Sequence, residues 1–161
     1  MTNFRKILHV VLISYAVFSV VACSDSNQGN VSRVTGLHGI KIGMSPSEIR
    51  SRLGDPDEEN ETFWNYNNFG ENGRYKLWVN IKKHKIWGIN LMSFSDNKEF
   101  ECMNGIYFHD DHAEVSRKYG VSPSINGDTL NYDFSNVRHY YKINNSNKVY
   151  QCGIQDNAGG M

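Results

Sequence analysis

The sequence predicts an α+β fold made of two tandem, diverged repeats. Each repeat is helical on one side and packs on an antiparallel meander of three to four strands. Three observations predict it. A helix with clear start and stop signals opens at Ser45, and its plan recurs from Asp111. Alternating strand-like segments follow both helices in the same order. Aromatic residues make up 12% of the 161 residues, enough to build a core.

The first helix is bounded within Gly43-Met44-Ser45-Pro46-Ser47-Glu48-Ile49-Arg50-Ser51-Arg52-Leu53-Gly54-Asp55-Pro56. Ser45 stands at the N-cap, Pro46 occupies the first helical position, and Glu48 completes a capping box. Ile49 and Leu53, four apart, share one face. Gly54 ends the helix and Pro56 prevents its resumption. In the second copy Asp111 answers to Ser45, Glu114 to Glu48, Val115 and Tyr119 to Ile49 and Leu53, and Gly120 to Gly54. Upstream, Gly39, Ile40 and Ile42 answer to Gly105, Ile106 and Phe108. Matches confined to positions with structural jobs are the mark of a diverged repeat.

The strands follow suit. Thr62 to Tyr66 corresponds to Asp128 to Tyr132, Arg74 to Val79 corresponds to Arg138 to Ile143, and Lys85 to Leu91 corresponds to Lys148 to Ile154. Successive strand side chains point to opposite faces. Alternation assigns Trp64, Tyr66, Tyr75, Leu77, Val79, Trp87, Ile89 and Leu91 to a helix-covered core. In the second copy the core takes Leu130, Tyr132, His139, Tyr141, Ile143, Tyr150, Cys152 and Ile154. The opposite face receives Phe63, Arg74, Lys76 and Trp78, and then Asn131, Arg138, Tyr140 and Lys142. Exposed Trp, Tyr and Arg dominate protein interfaces, so Phe63, Arg74, Lys76, Trp78, Arg138, Tyr140 and Lys142 are the candidate protein-binding residues. The same alternation is compatible with inverted faces, or with two sheets packed on each other.

The N-terminus reads as an export signal. Arg5 and Lys6 precede an apolar run from Ile7 to Ala22, which is short for a spanning helix. The run ends in Val20-Val21-Ala22-Cys23 and a polar stretch begins at Ser24. This resembles the lipobox of bacterial lipoproteins, with Val20 where leucine is usual. The resemblance implies cleavage before Cys23, lipidation of its thiol, and stable anchoring by two or three acyl chains. By the same resemblance, Ser24 directly after the cysteine, rather than an aspartate, implies the periplasmic side of the outer membrane. The expected division is a signal peptide over 1–22, a polar tether over 23–35, repeats over 36–98 and 99–156, and a tail over 157–161.

With Cys23 assigned to lipid, Cys102 and Cys152 remain. An oxidising compartment favours a disulfide between them, the alternative being two buried thiols. The basic and acidic residues balance at 17 each. Losing Arg5 and Lys6 with the signal leaves a slight negative excess, and nothing suggests nucleic acid as a partner.

The string Gly43-Met44-Ser45, Glu48-Ile49, Leu53-Gly54-Asp55-Pro56, followed by Trp64-Asn65-Tyr66, resembles the SmpA/OmlA type of small outer-membrane lipoprotein. In tandem, the unit is similar to the β-lactamase inhibitor protein. The resemblance covers about residues 36–94. It is weaker in the second copy, which lacks Gly-Met and carries an extra residue before Pro123. It implies a helix-on-sheet fold and either envelope assembly or inhibition. Fold alone does not choose between them.

Catalytic signatures are sparse. His109-Asp110-Asp111-His112 offers four metal-ligand types, yet the helix start claims Asp111 and His112 for structure. Cys152 falls on a strand face that reads as buried, unlike a nucleophile. There is no Gly-x-Ser-x-Gly elbow and no phosphate loop. The acidic pairs Glu58-Glu59 and Asp110-Asp111 read as capping or solvated residues. Lys82-Lys83-His84-Lys85 is a basic run in a hairpin turn, able to touch anionic headgroups or an acidic partner. The expectation is therefore a non-enzymatic protein-binding lipoprotein, with no cofactor and no metal, held to the membrane through Cys23. An envelope-assembly accessory is the leading form, and an inhibitor or immunity-type protein that blocks an enzyme or toxin is the alternative.

Overall fold

A computed structural model describes residues 33–95 and 100–158. Cys23 and the signal lie outside the described residues. The chain begins with a small hairpin, β1 (Gly36–Leu37) and β2 (Ile40–Lys41), followed by α1 (Pro46–Leu53). Then come β3 (Glu58–Glu59), β4 (Phe63–Phe69), a 3-10 turn (Glu71–Gly73), β5 (Tyr75–Lys82) and β6 (Lys85–Ser93). A second small hairpin, β7 (Glu101–Met103) and β8 (Ile106–Tyr107), leads to α2 (His112–Tyr119). The chain closes with β9 (Ser124–Asn126), β10 (Thr129–Phe134), β11 (Val137–Ile143) and β12 (Val149–Asp156).

The expectation of two tandem helix-on-sheet repeats is overturned. The protein is mostly β, with one antiparallel sheet of eight strands in the order β3-β4-β5-β6-β12-β11-β10-β9, and the described residues hold only two α-helices of eight residues each. The reason lies in the middle of the sheet. β6 and β12 pair from Met92–Gln151 to Gly88–Gln155. Left apart, each would be a bare edge of unpaired N–H and C=O groups. Joined, they are the two central strands of one sheet, and helices and hairpins cover one face of it.

Local signals explain the helices. At α1 the Glu48 backbone N–H donates to Ser45 Oγ at 3.3 Å, and the Ser45 N–H donates to Glu48 Oε2 at 2.7 Å. This reciprocal pair is the expected capping box, and it holds the Glu48 carboxyl below its ordinary range. α2 departs from expectation. Asp111 stands at its N-cap, but its side chain makes no capping bond and pairs instead with Lys148 Nζ at 2.8 Å. Glu114 turns to Arg117, two bonds at 2.9 and 2.7 Å.

The core lies between the covered face and the helices. Leu77, Val79, Ile89, Leu91 and Ile154 are fully buried from the sheet side, and Ile49 and Val115 meet them from the helices. Leu37, Ile40, Ile106 and Phe108 complete the core from the two small hairpins, which lie against the central strands β6 and β12. The β9–β12 half adds polar groups to this core. His139 Nε2 lies 2.7 Å from the Val34 carbonyl oxygen, which can only accept, so Nε2 carries the proton. Nδ1 then accepts from the Tyr119 hydroxyl at 2.9 Å, and Tyr119 in turn meets Tyr141 Oη at 3.0 Å. Burial holds the His139 pKa below its ordinary value. A disulfide joins Cys102 on β7 to Cys152 on β12, pinning the second hairpin to the centre of the sheet.

Candidate functional site: the open face of the sheet

The face away from the helices carries whatever the alternation turns outward. One row crosses six strands: Asn65, Trp78, Asn90, Gly153, Tyr140 and Asn131 are successive register partners. The neighbouring row includes Lys76, Met92, Gln151 and Lys142.

Two residues assigned to the core by alternation are not there. In β6 the partners are Asn80 with Gly88 and Ile81 with Ile86, so Trp87 is an extra residue in a β-bulge. Ile86 goes into the core in its place, 1% exposed, while Trp87 turns out beside Trp78. In β12 the partners are Lys142 with Gln151 and Ile143 with Val149, so Tyr150 is the extra residue. Its hydroxyl donates to Asp128 Oδ2 at 2.9 Å. A bulge adds one residue on one strand and breaks the period of two beyond it. The isolated Gly88 inside a strand pattern is the one sequence signal that points to it.

The first bulge creates a recess. Phe63, Trp78 and Trp87 form its apolar walls, Asn80, Asn90 and Thr62 its polar lining, and Lys82 its lip, around an open groove of about 820 Å³. Gly88 keeps the floor low, and a Cβ there would stand 2.8 Å from Asn80 Nδ2. Lys76 places its ammonium 5.2 Å from the centre of the Trp78 ring. A second cavity of about 530 Å³ lies at the same end of the sheet, lined by Pro46, Glu61, Trp64, Lys83 and His84 among others.

The other candidate residues are differently placed. Tyr140 lays its ring flat over Gly153, where a Cβ would come within 2.4 Å of Cζ. Burial pushes the Tyr140 hydroxyl up to about 12, against a hydrogen bond with Gln151 that lowers it. Arg138 is clamped on Asp133 by two bonds, at 2.6 and 3.2 Å. Lys142 lies on this half near Asp128. Arg74 is an exposed residue at the end of the 3-10 turn, before β5 begins. Of the seven sequence candidates, the structure thus gathers Phe63, Lys76 and Trp78, adds Trp87, leaves Arg74 in the turn before β5, and leaves Arg138, Tyr140 and Lys142 on the far half of the same face.

The His109-Asp110-Asp111-His112 run is spent on structure. His109 Nε2 meets the Ser95 carbonyl oxygen at 2.5 Å, Asp110 accepts from the Tyr107 N–H at 2.9 Å, and Asp111 pairs with Lys148. His112 is the first residue of α2. No cluster of three metal-ligand side chains occurs among the described residues. No described helix is long and apolar enough to cross a membrane.

No family model and no curated protein matches the chain. Similar solved structures exist. One is a DUF4309 family protein from Bacillus subtilis, at TM-score 0.55 and 11% identity, covering 74% of this chain and 83% of the other. Another is a cysteine-rich secretory protein from Staphylococcus aureus, at TM-score 0.53 and 11% identity, covering 73% of this chain. The chain spans only 44% of that protein's length. These neighbours are not of the SmpA/OmlA or β-lactamase-inhibitor type. At such identity the likeness is one of fold, and the chemistry has to be read from the face itself.

Proposed function

We propose that this chain is a lipid-anchored, non-enzymatic module whose open sheet face binds a protein partner on the periplasmic side of the outer membrane. One observation carries the reading: Phe63, Trp78 and Trp87 line a solvent-open recess on a face that no described element covers. Large aromatics held at such a place lose little on exposure to a partner and gain much when it desolvates them. The anchor rests on the lipobox at Cys23.

A photo-crosslinking residue in place of Trp87, in intact cells, tests the site. A discrete adduct with one protein is expected, and none from the same probe at exposed Asn126 on β9. Equal, diffuse labelling from both positions would remove the groove as a binding site. Radiolabelled palmitate tests the anchor separately, since Cys23→Ser should abolish its incorporation.

A further inference from the structure

We infer that the partner presents an apolar or aromatic anchor flanked by carboxylates, an inference that rests on the groove being the binding site. The argument is charge complementarity around one recess. Inside, Phe63, Trp78 and Trp87 suit an apolar side chain, and the amides of Asn80 and Asn90 can both donate to and accept from a peptide backbone. Among the described residues the one ionisable lining group is Lys82.

From Lys82 the chain runs directly into the two-residue turn Lys83-His84 and on to Lys85, and all four are exposed. This turn holds Lys83 at φ 50° and His84 at φ 58°, left-handed positions at which hairpins favour Asn and Gly. A lysine and a histidine therefore occupy a place that the backbone would fill otherwise. On the opposite side Lys76 hangs over Trp78. Three carboxylates temper this charge, Glu58 near Lys76, Glu61 beside Lys83 and His84, and Glu48 near Lys85. The lysines at the groove and its lip, Lys76, Lys82, Lys83 and Lys85, outnumber them. A basic segment entering the groove is repelled, and an acidic one is drawn in and held in register. The recess also favours a protruding side chain over a flat lipid surface, which would meet the tip and leave the groove empty.

The detergent-solubilised full chain, immobilised and panned against a random dodecapeptide phage library, tests this. The enriched peptides should carry an aromatic or aliphatic residue within a few positions of two or more Asp or Glu. Their affinity should fall roughly tenfold in the Lys82→Glu, Lys83→Glu, Lys85→Glu triple variant and weaken with salt, and it should be lost in Trp87→Ala. If Trp87→Ala abolishes binding while the triple reversal leaves it intact, the groove stands and the acidic partner falls. If neither variant matters, both readings fall. If no acidic peptide is enriched, and phosphatidylglycerol vesicles co-sediment with the wild type but not with the triple variant, the basic tip serves a lipid surface and the inference is overturned.

Discussion

The β3–β6 half and the β9–β12 half of the sheet meet at β6 and β12 and differ in what they leave undone. In the first half the covered face is mainly aliphatic, Leu77, Val79, Ile81, Ile86, Ile89 and Leu91, with Trp64, Tyr66 and Tyr75 beside them, and the open face is a recess with aromatic walls. In the second, the covered face is threaded by His139, Tyr119 and Tyr141 and stapled by the disulfide. Its open face is closed by its own side chains, with Tyr140 on Gly153 and Arg138 on Asp133. Both halves place an aromatic at the same outward row, Trp78 in one and Tyr140 in the other. Trp78 lines the open recess with Lys76 over its ring, whereas Tyr140 is packed on Gly153. The second half closes its own outer face, and the first leaves a recess there.

The largest test of that division sets Trp64 against Trp87. Trp64 is 7% exposed on the covered face, with the Arg50 guanidinium 4.6 Å from its ring centre. Trp64→Ala should lose roughly 3–5 kcal/mol in denaturant melts, while Trp87→Ala should lose less than about 1 kcal/mol. Equal losses would put Trp87 back into the core and remove the recess from consideration.

Next comes the staple. Replacing Cys102 and Cys152 with alanine opens a loop with a sequence separation of 50. The chain-entropy model gives a loss of roughly 3–4 kcal/mol. Hydrogen exchange should rise first in β7, β8 and β12, with β4 and β5 following only on global unfolding. Uniform exchange would show that the two halves share one stability.

The two open-face glycines sharpen the comparison further. Gly153→Ala drives a Cβ against the Tyr140 ring, which is rigid and packed, and should cost about 1–3 kcal/mol. Gly88→Ala meets only the amide end of Asn80, which can swing away, so its melt should shift far less. Equal costs would mean that Tyr140 is as free to move as Asn80.

The smallest effect is on pH. His139 is held neutral by burial, its folded pKa lying below the ordinary 6.5. Its contribution is complete above pH 6.5 and is lost as pH falls from there through the folded value, because the unfolded chain then binds more protons. The melting temperature should decline on that acid side, and His139→Gln should flatten the decline. An unchanged slope in the variant would assign the effect to other groups.

Much of the covered face was legible in the sequence because alternation is local. Leu77, Val79, His139 and Tyr141 are buried as the period of two requires, and Trp78 and Tyr140 face away. The capping box at Ser45 and Glu48 was likewise written into neighbouring residues. The failures lay elsewhere. The pairing of β6 with β12 joins residues some sixty positions apart and leaves no local trace, so local patterns give two sheets where there is one. Alternation places Trp87 in the core, because a bulge changes the phase of a strand without changing its composition. Asp111 occupies its expected N-cap, but its carboxylate is taken by Lys148, a partner that only the tertiary structure supplies.

The bulge in β6 separates two kinds of variation. A residue that belongs to neither face's alternation has no volume to match in the core and no ladder partner across the strand. Trp87 stands there, while Ile86 and Ile89 close the interior on either side of it. Its side chain can be exchanged for almost any other without disturbing the packing beneath. In the proposed binding role, an exchange at this one position alters the wall of the recess and leaves the strand ladder on either side in register.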